Sequence, residues 1–155
     1  MTGTALPAPS ADLGTAMLGL WKLKSRIDLD SSGIRRIDPA LGPDPLGVLA
    51  FAPGYFAAQF MRRDRESVAP AADVSASLNN SAAVGGYDAY FGTYVLDAAA
   101  GTIRTTLEGS ISPANVGKTF VRQVRVLGNE LIIQLATSAA DGAPVTRTLR
   151  FERAQ

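Results

Sequence analysis

The sequence predicts an all-β protein with about eight or nine short antiparallel strands, arranged as a sandwich or a closed barrel. Short runs that alternate apolar and polar residues recur along the chain, and turn signals rich in glycine, proline and asparagine separate them. None of these runs carries the features that usually protect an exposed sheet edge. The combination favours the barrel.

Composition limits the kinds of function. The 155 residues are 46% apolar and 19% charged, as expected for one globular domain. The net charge of +1 gives no basis for binding nucleic acid or an anionic membrane, and no apolar run approaches the roughly 18 residues of a membrane span. We expect a flexible leader over residues 1–10, a single domain over 11–155 and, since no secretory signal is evident, a cytoplasmic location. Homodimer formation is left open.

The chain contains no cysteine and no histidine. Disulfides, thiolate nucleophiles, imidazole bases and metal sites built on these ligands are therefore excluded. We expect no metal and no cofactor. Catalysis, if present, would have to use carboxylates, tyrosines, arginines, amides or hydroxyls.

The first half of the chain predicts a short helix and two hairpins. Spacing of apolar residues indicates a helix over about 11–18, with Ser10 as its N-cap. "LWKLKSRIDLD" alternates strictly, which predicts that Trp21, Ile27 and Leu29 face the core while Arg26 and Asp28 face water. Residues 34–37 are predicted to form a short strand that pairs with it after a turn. "LGVLAF" is predicted to pair with "YFAAQFMRR" across the turn "APG".

The long connection over residues 66–88 is rich in alanine, serine, asparagine and glycine. It predicts one or two short helices that form a lid, because connections this long in a compact domain are often functional. The preceding Arg62-Arg63-Asp64-Arg65 cluster is interpreted as a solvated strand end, or else as a rim that steers an acidic ligand.

The second half predicts a series of hairpins. With Gly128-Asn129 as a tight turn, Val124 lies opposite Ile133, and Arg122 lies opposite Leu135 on the apolar face. Arg122 then either ties strands together and covers an aromatic ring, or anchors an anion or carbonyl inside a pocket.

The register of the preceding strand leaves two alternatives for Glu108. In the first, Arg122 lies opposite Leu107, so that Thr105 and Leu107 point inward and Glu108 points outward. In the second, Glu108 lies directly opposite Arg122 as an internal ion pair. The first keeps the apolar faces consistent and is slightly favoured, whereas the second would satisfy an inward arginine.

Several segments resemble a known family. "LGLWKL" is similar to the opening strand of lipocalins and the wider calycins. "LAFAPGYFAAQFMRRDR", "YDAYFGTYVLD", "GTIRTTLEGSISPANVGKTFVRQ" and "RFER" resemble, in order, conserved blocks of the bacterial lipocalin-like domain family, between Leu18 and Arg153. The resemblance implies an eight-stranded up-and-down barrel around a cavity for a small, mostly apolar molecule. Where relatives usually carry histidines, this chain has Thr105 and Thr106, which weakens any transfer of acid–base chemistry.

Candidate site residues follow from these patterns. We predict a catalytic group formed by Glu108, Arg122 and Tyr94, and structural roles for Trp21 and Arg153, with Arg153 over the indole ring. The predicted ligand-binding residues are Gln59, Tyr90, Tyr94, Thr105, Leu107, Phe120, Val124 and Leu135. Gln59, Tyr90 and Tyr94 are open to an alternative as structural groups with satisfied hydrogen bonds.

Two functions fit these expectations. One is a cofactor-free enzyme, such as a cyclase, isomerase or lyase, acting on a hydrophobic or natural-product-like substrate. The other is a non-catalytic carrier or sequestering protein for a hydrophobic metabolite. A uniformly apolar cavity would favour the carrier, and polar side chains converging on the cavity would favour the enzyme.

Overall fold

A computed structural model describes residues 12–65 and 83–155 of the chain. Within these residues it contains one short α-helix, one 3-10 turn and nine β-strands. The helix α1 is Leu13–Ala16, and the 3-10 turn is Pro113–Asn115. The strands are β1 Gly19–Asp30, β2 Arg35–Arg36, β3 Leu46–Ala52, β4 Tyr55–Met61, β5 Tyr87–Asp97, β6 Thr102–Ser110, β7 Thr119–Leu127, β8 Glu130–Ser138 and β9 Pro144–Arg153.

Eight strands close an antiparallel barrel. Strands β3 to β9 pair with their neighbours in chain order, β1 pairs with β3 along one edge, and β1 also pairs with β9 along the other. The remaining strand, β2, is short and pairs only with the end of β1. The predicted all-β up-and-down barrel and both predicted hairpins of the first half are confirmed.

Helix α1 covers one end of the barrel, which we call the tryptophan end. The indole N–H of Trp21 donates a hydrogen bond to the carbonyl oxygen of Met17 over 2.8 Å, and both side chains are buried. The guanidinium of Arg153 lies 4.2 Å from the Trp21 ring centre and donates to the carbonyl oxygens of Ala16 and Leu18. The predicted contact between Arg153 and Trp21 is therefore present.

A β-bulge changes which residues of β1 face the interior. Leu23 pairs with Phe151 and Ser25 with Arg150, so Lys24 is an extra residue in the ladder. Because one extra residue inverts the alternation beyond it, the side chains of Arg26 and Asp28 point inward and Leu29 is 42% exposed. The prediction that Arg26 and Asp28 face water is therefore wrong.

The register of β7 with its two neighbours was predicted correctly on one side only. Val124 lies opposite Ile133 and Val126 opposite Leu131, so the turn at Gly128-Asn129 sets the predicted β7–β8 register. On the other side Arg122 lies opposite Ile103, four residues away from the predicted partner Leu107. The 3-10 turn makes the β6–β7 connection asymmetric. Because the register differs from the predicted one by an even number of residues, the same side chains face inward.

Strand alternation places Glu108 on the outer face of β6, beside a second bulge. The partner of β5 changes from Gly109 at Phe91 to Leu107 at Gly92, which leaves Glu108 without a paired residue. A Cβ atom at position 92 would lie 1.9 Å from the carbonyl oxygen of Thr106, so only glycine fits this close approach. Glu108 is exposed, and the alternative with an internal Glu108–Arg122 ion pair is wrong.

Some predictions fall on residues that the structure does not describe. Residues 66–82 of the predicted lid, the leader 1–10 and the predicted N-cap Ser10 lie outside the described residues, so their roles stay predictions. Asp12 occupies the N-cap position of α1 without a side-chain hydrogen bond. None of the helices within the described ranges is long and apolar enough to cross a membrane.

Candidate functional site: a charged cavity inside the barrel

Inward-facing side chains of the barrel surround a cavity with about 590 Å³ of unoccupied space, counted together with its open mouth. Its apolar wall is formed by Leu41, Leu49, Phe51, Phe56, Phe60, Ile103, Ile133, Leu135, Leu149 and Phe151. Its polar wall is formed by Arg26, Asp88, Tyr90, Thr105, Arg122 and Arg147. A cavity with a mostly apolar lining and a few converging polar groups is typical of a small-molecule site.

The charged side chains lie in the half of the barrel away from α1, where strand alternation and the β1 bulge direct them inward. Asp28 is directly opposite Arg147 on the neighbouring strand. Arg147 has the same parity as the buried residues Leu149 and Phe151, and Asp88 has the same parity as Tyr90. The barrel closure therefore collects charges from β1, β5, β7 and β9 in one place.

Two arginines of this group are neutralised by aspartates. Arg147 donates to both carboxylate oxygens of Asp28, over 2.8 and 2.9 Å, and both side chains are buried. Arg26 donates to Asp38 over 3.0 Å, and Arg147 also lies 3.7 Å from the same Asp38 oxygen. Burial lowers the pKa of Arg26, and Arg147 lowers it further, whereas Asp38 and Asp28 oppose the shift. Such pairs are stable because neither charge is buried alone.

Asp88 is an inward-facing carboxyl with no such pairing. It is 2% exposed, and among the described residues no arginine or lysine nitrogen lies within ion-pair distance of it. Burial raises the pKa of Asp88 to about 7, although Arg26, the backbone N–H of Ala89 and Arg147 oppose the shift. A carboxyl with this pKa exists in both its acid and base forms near neutral pH.

Arg122 is the third arginine of the cavity, and no carboxylate of the described residues lies within ion-pair distance of it. Arg122 is 8% exposed. Its guanidinium donates a weak hydrogen bond of 3.5 Å to the hydroxyl of Thr105 and lies 5.1 Å from the Phe120 ring centre. Burial lowers the pKa of Arg122, with the largest opposition from Tyr90. Among the described residues the guanidinium has no other hydrogen-bond partner, so most of its five N–H donors can bind another group.

Tyr90 lies beside these charges on the cavity wall. Its ring meets Phe56 edge-on, with ring centres 6.0 Å apart, and tilts against Phe60. Burial raises the pKa of the Tyr90 hydroxyl, and Arg122 opposes that shift most strongly. At neutral pH this hydroxyl is a neutral hydrogen-bonding group next to the Arg122 guanidinium.

The structure brings some of the predicted site residues to the cavity and not others. Arg122, Tyr90, Thr105 and Leu135 line it. Leu107 and Val124 are buried in the surrounding core, and Phe120 contacts Arg122 from the side. The predicted grouping of Glu108, Arg122 and Tyr94 is not formed.

The polar groups of Tyr94 and Gln59 form hydrogen bonds within the protein. The Tyr94 hydroxyl donates to the carbonyl oxygen of Ala52 over 2.9 Å, and its ring meets Phe51 edge-on. Gln59 is exposed on the outer face of β4, where it accepts a hydrogen bond from the Tyr87 hydroxyl. The predicted ligand contact by Gln59 is therefore not supported by its position.

Sequence reasoning did not single out Arg26, Asp28, Asp38, Asp88 or Arg147 as site residues. Two of them carried a usable signal, because Arg147 shares the alternation of Leu149 and Phe151, and Asp88 shares that of Tyr90. Arg26 and Asp28 carried a misleading signal because of the bulge. Within the described parts of the chain, no three carboxylates come close enough together to hold a metal ion.

A family model for the lipocalin-like domain matches residues 18–154, which is nearly the whole barrel. The chain belongs to the lipocalin-like domain family. The lipocalin-like barrel, with its cavity, supports a role in binding a small molecule. A comparison with curated proteins found no match to the chain.

Proposed function

We propose that this lipocalin-like barrel binds a small, mostly apolar molecule that carries a hydrogen-bond acceptor, either a carbonyl or a carboxylate, and that Arg122 holds this acceptor. The observation that carries the proposal is the buried guanidinium of Arg122, which faces the cavity without a carboxylate partner among the described residues. Burying a charge without a partner is costly, so a ligand oxygen that pairs with it gains binding free energy.

The rest of the cavity explains why the ligand should be mostly apolar. Leucine, isoleucine and phenylalanine side chains form the larger part of the lining. Arg26 and Arg147 are already neutralised by Asp38 and Asp28, so they offer less to a ligand than Arg122 does. The Tyr90 hydroxyl lies near Arg122 and can donate to the same acceptor, whereas the Thr105 hydroxyl accepts from Arg122 and donates to the carbonyl oxygen of Phe120.

A matched pair of probes tests this proposal. The ketone 2-tetralone and the hydrocarbon tetralin share a bicyclic shape, but only the ketone has an acceptor oxygen. We expect the protein to bind 2-tetralone more tightly, and Arg122→Met to weaken 2-tetralone binding by on the order of 10-fold or more while leaving tetralin binding nearly unchanged. Ligand-observed NMR titrations measure both affinities.

Arg125→Met is the control, because Arg125 lies on the same strand but is exposed on the outer face. It should change neither affinity. We expect Arg122→Met to unfold at the same or a higher temperature, since it removes an unpaired buried charge and keeps the volume of the side chain. Loss of stability with unchanged 2-tetralone affinity would instead identify Arg122 as a structural tie between strands.

The second candidate is a cofactor-free enzyme of the isomerase, cyclase or lyase type, with the non-catalytic carrier as its alternative. Asp88 favours the enzyme, because a buried carboxyl with a pKa near 7 on the cavity wall is suited to acid–base chemistry. Glu108 and Gln59 contribute nothing to this version, since both lie on the outer surface. The cytoplasmic location and homodimer formation stay predictions.

A further inference from the structure

Four charged side chains of the cavity form two ion pairs, and two further charged side chains have no ion pair among the described residues. Arg147 is matched by Asp28, and Arg26 by Asp38. Asp88 and Arg122 remain, one able to take up or release a proton and the other permanently charged. A fold that needed charges only for stability could have paired these two with each other.

Asp88 and Arg122 project from different strands into the same cavity. Asp88 projects from the start of β5, and Arg122 from β7, with β6 lying between these strands in the barrel wall. Both side chains line the same space, together with Tyr90, which follows Asp88 on β5, and Thr105 on β6. A small molecule whose oxygen is bound by Arg122 therefore occupies the cavity that Asp88 also lines.

We infer that Asp88 is the proton-transfer group of an isomerase-type site, and that its substrate is an apolar, enolisable carbonyl compound whose oxygen is bound by Arg122. The inference rests on the proposed function, because it uses the same cavity and the same anchor. It adds the reaction class and the residue that performs the chemistry.

The chemistry needs no co-reactant. The Asp88 carboxylate removes a proton from the carbon next to the carbonyl group, and the electron pair of that C–H bond forms the carbon–carbon double bond of an enolate. The carbonyl π electrons move onto the oxygen, where the Arg122 guanidinium balances the negative charge. Asp88 then returns the proton, either to the same carbon or to a conjugated one, which shifts a double bond.

The surroundings of Asp88 suit this role. Desolvation makes its carboxylate more basic, and burial raises its pKa to about 7. Arg26 from β1, Arg147 from β9 and, acting on it from β7, Arg122 contribute positive charge, Asp38 from the loop before β3 contributes negative charge, and Tyr90 follows it on β5. Asp28 and Asp38 pair with Arg147 and Arg26 and offset most of their effect on Asp88. The pKa of the Asp88 carboxyl therefore stays in a range useful for proton transfer near neutral pH.

Hydrogen exchange of 2-tetralone in D₂O tests the inference, because the proton of its activated carbon is replaced by deuterium whenever the enolate forms. We expect the protein to accelerate this exchange above the buffer rate, and Asp88→Asn to lower the protein-dependent rate by on the order of 100-fold. The protein-dependent rate should rise with pH and level off above about 7, as Asp88 ionises. Proton NMR follows the exchange.

Asp97→Asn is the control, since Asp97 lies exposed at the other end of the same strand and asparagine keeps the acceptor for the N–H of Ala100. It should exchange 2-tetralone at the wild-type rate. Equal exchange rates for wild type and Asp88→Asn, with the ketone bound to both, would overturn the inference. Failure of wild type to bind 2-tetralone would instead contradict the proposed function, which the binding titration shows separately.

Discussion

The two ends of the barrel differ in how their buried polar groups are paired. At the tryptophan end, the indole N–H of Trp21 and the guanidinium of Arg153 are satisfied by backbone carbonyl oxygens of α1 and the residues beside it. In the opposite half, buried arginines of β1 and β9 pair with Asp38 and Asp28, and Asp88 and Arg122 are left without ion pairs among the described residues. The first arrangement seals the barrel, whereas the second leaves chemical groups facing a cavity.

This difference indicates where stability and function reside. A polar group that is fully satisfied inside the protein offers nothing to a ligand, and removing it only destabilises the fold. A buried group without a partner costs stability in the empty protein and becomes favourable when a ligand supplies the partner. Substitutions of paired groups should therefore change stability, and substitutions of the unpaired cavity groups should change binding.

The largest expected effect comes from breaking the Asp28–Arg147 pair. Arg147→Met leaves Asp28 buried without its bidentate partner, and we expect a loss of about 3–5 kcal/mol in the free energy of unfolding, measured by urea titration. Arg150→Met, which removes an exposed partner of Glu130 on the same strand, should cost no more than about 1 kcal/mol. Similar costs for the two variants would contradict the importance of the buried pair.

Asp88 should make stability depend on pH in an unusual direction. Its pKa in the folded protein, about 7, lies above its ordinary value of 3.8, so the folded state holds the proton more tightly than the unfolded state. The free energy of unfolding should then fall by up to about 1.4 kcal/mol per pH unit between about pH 4 and 7 and stay level above.

Asp88→Asn isolates this contribution, because the amide keeps the shape and cannot ionise. The difference in unfolding free energy between variant and wild type should grow in favour of the variant as the pH rises from 5 to 7. Chemical unfolding at a series of pH values measures this difference. A difference independent of pH would show that Asp88 is ionised throughout, with a pKa close to that of an exposed aspartate.

Arg153→Met should produce a smaller effect, confined to stability. The variant loses two hydrogen bonds to backbone carbonyls and the contact over Trp21, for which we expect a cost of about 2 kcal/mol. Its affinity for 2-tetralone should match that of wild type, because the cavity lining does not include Arg153. A decrease in affinity comparable to that of Arg122→Met would remove the distinction between the two ends.

Much of the fold could be predicted from local patterns, and part of the site could too. The inward direction of Arg122 followed from one tight turn and the apolar alternation around it, and the structure confirms that direction. The group around it was predicted wrongly, because Glu108 lies on the outer face of β6, as the slightly favoured register had indicated, and the Tyr94 hydroxyl donates to the carbonyl oxygen of Ala52. Asp88 could have been found by extending the parity of Tyr90 by two residues.

The sequence by itself determined the strands, the barrel class and the β7–β8 register, because alternation and turn chemistry act between residues close in the chain or along one strand. The tertiary structure decided which charges meet. The extra residue Lys24 in β1 exists only relative to β9, more than 100 residues later, and it turns Arg26 and Asp28 inward to face Arg147. A bulge is a property of two paired strands, so a period-two pattern in one of them cannot reveal it.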